Sequence, residues 1–189
     1  IHGGGNTSGL KDLYDFSKLV KKHNVIVVTI NYRLGPLGWF THPAIQGLQD
    51  GLDKTSNFGT LDIIAALEWV NNNISSFGGN PNNITVMGES SGANNINFLM
   101  ASPLSKGLFQ RVIHQSGGSS ISFPSDISVD FKLGKKFEES LTVGKKVEDT
   151  KDYLKSLSSS EITNAASKIY DGHYFAPVVD GKVLLRPLK

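Results

Sequence analysis

The sequence predicts an α/β fold, and three stretches predict it. Val25–Asn31, VIVVTIN, is a β-branched run that reads as a buried strand, and it follows a helical pattern in residues 11–23. Ile84–Met87, ITVM, is a second apolar run; it leads straight into a small-residue turn and then another helical pattern. Arg111–Gln115, RVIHQ, reads as a third strand. Strands alternating with helices call for layers of sheet and helix around one core.

In chain order, the first helix rests on Leu13, Phe16 and Val20 at helical spacing. Residues 32–56, rich in Gly, Pro and polar side chains, read as a long loop; ordered loops of that length are often functional. The clearest helix lies within 57–77, where Ile63, Leu67, Val70 and Ile74 recur on one face, and Gly78-Gly79 with Asn80-Pro81 ends it. A third helix begins near Ser91 and carries Ala93, Ile96, Leu99 and Met100, and Pro103 follows it. After about Gly118 the character changes to helical and mostly polar. Ser128–Leu141, Asp149–Leu157 and Ser160–Ile169 read as helices, with Thr150 or Asp149 capping the second and Ser159 or Ser160 the third. The five lysines between 132 and 146, interleaved with Glu138 and Glu139, read as a solvated face. Residues 175–185 read as an extended return.

The 189 residues suffice for one domain with a sizeable core, and 39% hydrophobic with 19% charged residues is ordinary for a globular chain. The whole chain, 1–189, is expected to form a single incomplete domain, with the sheet and turn in 1–118 and a helical part in 119–175. A net charge of +2 gives no electrostatic case for nucleic acid or a membrane surface as partner. No apolar run approaches a membrane span. Without cysteine there is no disulfide framework and no thiolate metal site. Oligomeric state and cellular compartment stay open.

The chemistry centres on Met87-Gly88-Glu89-Ser90-Ser91-Gly92. It contains G-x-S-x-G, and only Ser90 has glycines at both −2 and +2. Taken alone, this pattern is as well read as a small-residue turn. The strand before it and the helix after it are what the pattern requires when the serine is a nucleophile held clear of a sheet. The backbone N–H of Ser91, at a helix start, then points where an oxyanion would form. A second signal is His2-Gly3-Gly4-Gly5. Three glycines allow successive N–H groups to converge on an anion, although a flexible glycine loop reads the same way. No Gly-Lys-Ser/Thr follows, which argues against a phosphate loop.

These residues resemble a known family. FGGNPNNITVMGESSG (77–92) matches the serine-site signature of the type-B carboxylesterases, and NYRLGPLGWF (31–40), NFGTLDIIAALEWVNNNI (57–74), SPLSKGLFQRVIHQSGG (102–118) and APVVDG (176–181) resemble the same family. The likeness is dense over 1–118 and loose over 119–175. It implies an α/β-hydrolase fold, here partial, and a Ser–Glu–His triad that hydrolyses small carboxylic esters through an acyl-enzyme without any cofactor or metal. Ser90 matches the nucleophile, and Gly4, Gly5 and Ser91 match the oxyanion donors. Ser91 stands where the family usually has alanine, which a backbone donor tolerates. Asn80 replaces a common aspartate and Ile63 a common glutamine. Glu89 and Ser116 match supporting positions by resemblance, and Ser116 reads equally as a turn residue. Asp171–Phe175 falls on a segment that selects the acyl group in related esterases.

The rest of the triad is not expected here. The fold orders nucleophile, then acid, then histidine. After Ser90 come only His114, on the strand that follows at once and read as packed or hydrogen-bonded, and His173, which precedes the position of the acid. His2 belongs to the glycine loop, and His23 and His42 read as surface or loop residues. The chain is therefore read as an interior fragment of a serine esterase, with acid and base outside it. Without a base a serine is a poor nucleophile, and a partial sheet leaves apolar edges exposed. The alternatives are a non-catalytic adhesion or binding module, or a structural member, on the same fold. Asn-x-Ser/Thr triplets at Asn6, Asn73 and Asn83 are put down to chance; Asn6, beside the glycine loop, and Asn83, entering a strand, are unattractive glycan sites.

Overall fold

Among the described residues, two parallel strands form the sheet and carry the turn at Ser90. In the computed structural model, which describes residues 1–46, 50–118, 127–169 and 175–186 (without the side chains of 127–130 and 169), β1 (Thr85–Glu89) pairs with β2 (Arg111–Gln115). Thr85 lies opposite Arg111 and Glu89 opposite Gln115. A parallel pair needs a crossover. Helix α5 (Ser91–Ala101) and a 3₁₀ turn at Pro103–Ser105 provide it. Ala93, Ile96, Phe98 and Leu99 of α5 are buried, as are Ile63, Ile64 and Leu67 of α4 (Phe58–Asn73). The stripe expected on α4 thus faces the core, and Gly78 at φ +82° closes the 3₁₀ turn Ile74–Phe77 that ends it.

The run Val25–Asn31 does not form a strand in this structure. No ladder reaches it among the described residues, and Val25, Ile26 and Val28 are exposed. β-Branched residues favour a strand only when a neighbouring strand is there to pair and a face to bury. The helix before it is shorter than its spacing suggests: α1 is Ser17–Lys22 with no buried residue, and Leu13 and Val20 are exposed. β2 is exposed at every residue, so the expected apolar edges are present. The loop 32–56 is more structured than its composition implies, with α2 (Gly35–Gly38), α3 (Pro43–Gln46) and a 3₁₀ turn at Gly51–Lys54.

The helical part comprises α6 (Ile127–Thr142), α7 (Thr150–Ser156) and α8 (Ser159–Ile169). Lys132, Lys135 and Lys136 are exposed on α6, while Phe137 is buried and meets Phe40 edge-on at 5.3 Å. Asp149 caps α7 by accepting from Asp152 N–H at 2.9 Å. The cap of α8 is Ser158, not Ser159 or Ser160. Its hydroxyl accepts from Glu161 N–H (3.3 Å) while the Glu161 carboxylate accepts from Ser158 N–H (2.9 Å), a reciprocal capping box.

His42 lies in the loop before α3, as one of its two readings had it, but it is buried rather than at the surface. Ala44 N–H donates to its Nδ1 (3.1 Å), which leaves Nε2 to donate to Glu138 of α6 (3.0 Å). Burial lowers its pKa, against the opposing pull of Glu138 and with a smaller lowering from Lys135.

The final described segment does not run extended to residue 185. It turns at Asp180, whose one carboxylate oxygen accepts the N–H groups of Lys182, Val183 and Leu184 at 2.9–3.0 Å. The other oxygen accepts from the Thr55 hydroxyl and from Asn57 Nδ2 (3.0 Å). Asn57, fully buried, also bonds both backbone groups of Val178: Nδ2 to the carbonyl (2.9 Å) and Oδ1 from the N–H (2.8 Å). One amide side chain thereby ties the end of the described chain to the start of α4.

Candidate active site

Ser90 is the hinge between β1 and α5. Its backbone stands at φ +54°, ψ −123°, a region that residues with a side chain rarely enter. Two bonds hold it there: its N–H donates to Gln115 C=O (2.9 Å) and its C=O accepts from Asn94 N–H (3.1 Å). The flanking glycines are sterically required. A Cβ on Gly88 would lie 2.5 Å from the Gly92 carbonyl, and one on Gly92 would lie 2.6 Å from His2 O and closer still to Ile1 O. Strand, helix and the first residues of the chain meet where no side chain fits.

The glycine loop lies against this turn. A Cβ on Gly3 would come 3.0 Å from Ser90 Cβ and 2.8 Å from Glu89 O. Gly4 and Gly5 turn at φ +108° and +63°, and the Gly4 carbonyl accepts from Thr7 and Ser8 N–H at 3.1 Å each. Among the described residues no acceptor pairs with the N–H of Gly4 or Gly5. As the first residue of α5, Ser91 likewise has no intrahelical acceptor for its N–H. His2 is buried, stacks on Tyr32 at 4.5 Å, and bonds Gly3 O through Nδ1 (2.8 Å). Tyr32 OH in turn donates to His2 O (2.7 Å).

Around this turn, Tyr14 OH donates to the Glu89 carboxylate at 2.9 Å. Burial first, and Glu89 second, push the Tyr14 phenol pKa upward, so it stays the donor at ordinary pH. Ser116 is exposed, directly follows β2, and also has positive φ, +54°. His114 is exposed and pairs with Asn97 Nδ2 (3.1 Å). None of the described histidines shares a hydrogen bond with Ser90. His173 and most of Asp171–Phe175 lie outside the described residues; Phe175 itself is buried. A cavity of ≈ 440 Å³ between Pro36, Phe58 and the helical part is lined by neither Ser90 nor the glycine loop.

The sequence gives no functional role to Tyr14, and marks Asn6 only as an Asn-x-Ser/Thr triplet beside the glycine loop. Asn6 carried a faint signal: asparagine directly after glycines is the side-chain residue best suited to continue a left-handed turn. Nothing local marked Tyr14.

The model of the carboxylesterase family matches residues 1–189. The chain belongs to the carboxylesterase family. Among its relatives, the para-nitrobenzyl esterase of Bacillus subtilis is 50% identical over 121 residues, 63% of this chain and 24% of the relative. Human cocaine esterase is 46% identical over 117 residues, 62% of this chain and 20% of the relative. The structure superposes on a carboxylesterase of Geobacillus stearothermophilus with a TM-score of 0.86 at 35% identity, covering 99% of this chain and 38% of that one. It superposes on the juvenile hormone esterase of Manduca sexta, with OTFP covalently attached, at 0.83 and 30% identity, covering 99% and 36%. This carboxylesterase-family chain thus has a partial α/β-hydrolase fold and spans less than two fifths of these relatives' lengths. Among its described residues no helix is long and apolar enough to cross a membrane, and no cluster of His, Asp and Glu could hold a metal.

Proposed function

We propose that the protein is a serine carboxylesterase in which Ser90 attacks the ester carbonyl and carries the acyl group. The observation that supports this most is the left-handed backbone of Ser90 between β1 and α5, set against the glycine loop. Ser90 Oγ would add to the carbonyl carbon, and charge would develop on the carbonyl oxygen. The unpaired N–H groups of Gly4, Gly5 and Ser91 are the donors we assign to that charge. Donors held in place before the reaction need no reorganisation, and each is worth about 10²–10³ in rate. The alcohol then leaves, and water releases the acid from the acyl-enzyme. Glu89, held by Tyr14, and Ser116 are assigned supporting places beside the turn.

A base must take the Ser90 proton. No described histidine bonds Ser90, so the acid and the histidine, in the order nucleophile, acid, histidine, would come from residues other than the described ones. In the complete protein, Ser90→Ala is expected to abolish turnover of a p-nitrophenyl ester and labelling by a fluorophosphonate. Unchanged turnover by the variant would remove Ser90 from the mechanism.

A further inference from the structure

We infer that Asn6 is the positioning residue of the oxyanion loop, an assignment that rests on the proposed roles of Gly4, Gly5 and Ser91. Gly4 and Gly5 have no side chains by which the fold could hold them, and glycine turns are permissive. An oxyanion donor displaced by a fraction of an ångström loses much of its effect. The chain must therefore be pinned directly after the two glycines. Asn6 stands there at φ +59°, fully buried.

Every polar group of Asn6 has a partner. Its N–H donates to Ser91 Oγ (3.2 Å), and its carbonyl accepts from Gly35 N–H (2.6 Å). Its Nδ2 donates to Phe175 O (2.7 Å), and its Oδ1 accepts from Asn95 Nδ2 (2.9 Å). These bonds reach α5, the start of α2 and the segment at Phe175. Ser91 and Asn95 lie one turn apart on the helix that follows Ser90. The bond to Ser91 joins the residue after Gly5 to the residue whose own N–H is the third donor. It therefore sets the spacing between the two upstream donors and the third. Asn95 is buried with its Oδ1 unpartnered, so its amide is spent on Asn6 at a cost an apolar residue would avoid. The Nδ2 of Asn6 is committed to Phe175, which also removes Asn6 as a glycan acceptor in the folded protein.

The test uses the complete protein. Wild type is labelled with a fluorophosphonate and the labelled peptide is identified. Asn6→Asp, which keeps the Oδ1 acceptor and tolerates positive φ but sets an oxygen against Phe175 O, is compared with Asn95→Ala, which cuts one bond from outside the loop. For both, kcat and KM on p-nitrophenyl butyrate are measured, with the inhibition constant of a trifluoromethyl ketone, whose adduct carries an oxyanion. Asn6→Asp is expected to lower kcat about 10- to 100-fold with KM within about threefold, and to weaken the ketone by the factor lost in kcat/KM. Asn95→Ala is expected to show the same pattern at about three- to tenfold, and carries the test if Asn6→Asp does not fold. A label on Ser90 with folded variants whose kcat and ketone affinity match wild type would overturn this inference alone. So would losses that only track the folded fraction. No label on Ser90 in wild type would overturn the esterase reading and this inference with it.

Discussion

Replacing Asn57 by alanine removes three hydrogen bonds of its amide with one small change. The amide is fully buried, and its loss leaves Val178 N–H and C=O without their partner and takes one donor from Asp180. A buried backbone group stripped of its partner costs about 1–3 kcal/mol. Two such groups give about 2–6 kcal/mol, and the donor lost from a carboxylate adds to this. Total stabilities run about 5–15 kcal/mol, so the loss is a large share of the whole. With a urea slope of about 2 kcal/mol/M, a loss of about 4 kcal/mol moves the midpoint down by about 2 M. Urea unfolding followed by circular dichroism reads that shift. Amide exchange at Val178 reads the local effect, and its protection should drop further than that of Leu99 in α5. A midpoint shift below about 0.5 M, with Val178 protection intact, would show that the segment at 175–186 is held by something other than Asn57.

Other substitutions probe the site and the helical part. Gly92→Ala should lower the melting temperature and suppress fluorophosphonate labelling together, because the new Cβ would press on the carbonyls of Ile1 and His2; normal labelling would mean that the turn relaxes without cost. The folded-state pKa of His42 is lowered by burial, so the stability it contributes is present above its ordinary value near 6.5 and is lost as pH falls through the folded value. The melting temperature of wild type should therefore fall more between pH 7 and pH 5 than that of His42→Gln, and equal slopes would count against this. Tyr14→Phe should reduce kcat modestly while leaving the fold intact if the bond to Glu89 matters to the chemistry. An unchanged rate would make that bond structural only.

Much of the candidate site could be read along the chain because its causes are local. A serine between small residues at the end of an apolar run announces a sharp strand-to-helix turn, and Ser90 stands at positive φ between β1 and α5. Arg111–Gln115 forms β2 with the expected bounds, and Ile63 and Leu67 face the core as their spacing implies. The helices after residue 127 were legible in the sequence, and the α7 cap was narrowed to Asp149 or Thr150, of which Asp149 serves. The shift of the α8 cap to Ser158 reflects three adjacent serines of equal propensity, among which only the reach of Glu161 chooses.

By itself the sequence determined the α/β class, the turn at Ser90, the glycine loop and the membership in a carboxylesterase family. The class, the turn and the glycine loop depend on side-chain size, backbone sterics and short-range period, all of which neighbouring residues carry, whereas the membership was read from resemblance to the family's motifs. The tertiary structure alone decided that Val25–Asn31 stays without a ladder among the described residues and that His42 is buried against Glu138. It alone decided which groups satisfy Asn6 and Asn57, whose side-chain partners lie 89 to 169 and 121 to 123 residues away. A strand exists only when another strand accepts its hydrogen bonds, and a buried amide is paid for only by the groups that packing brings to it.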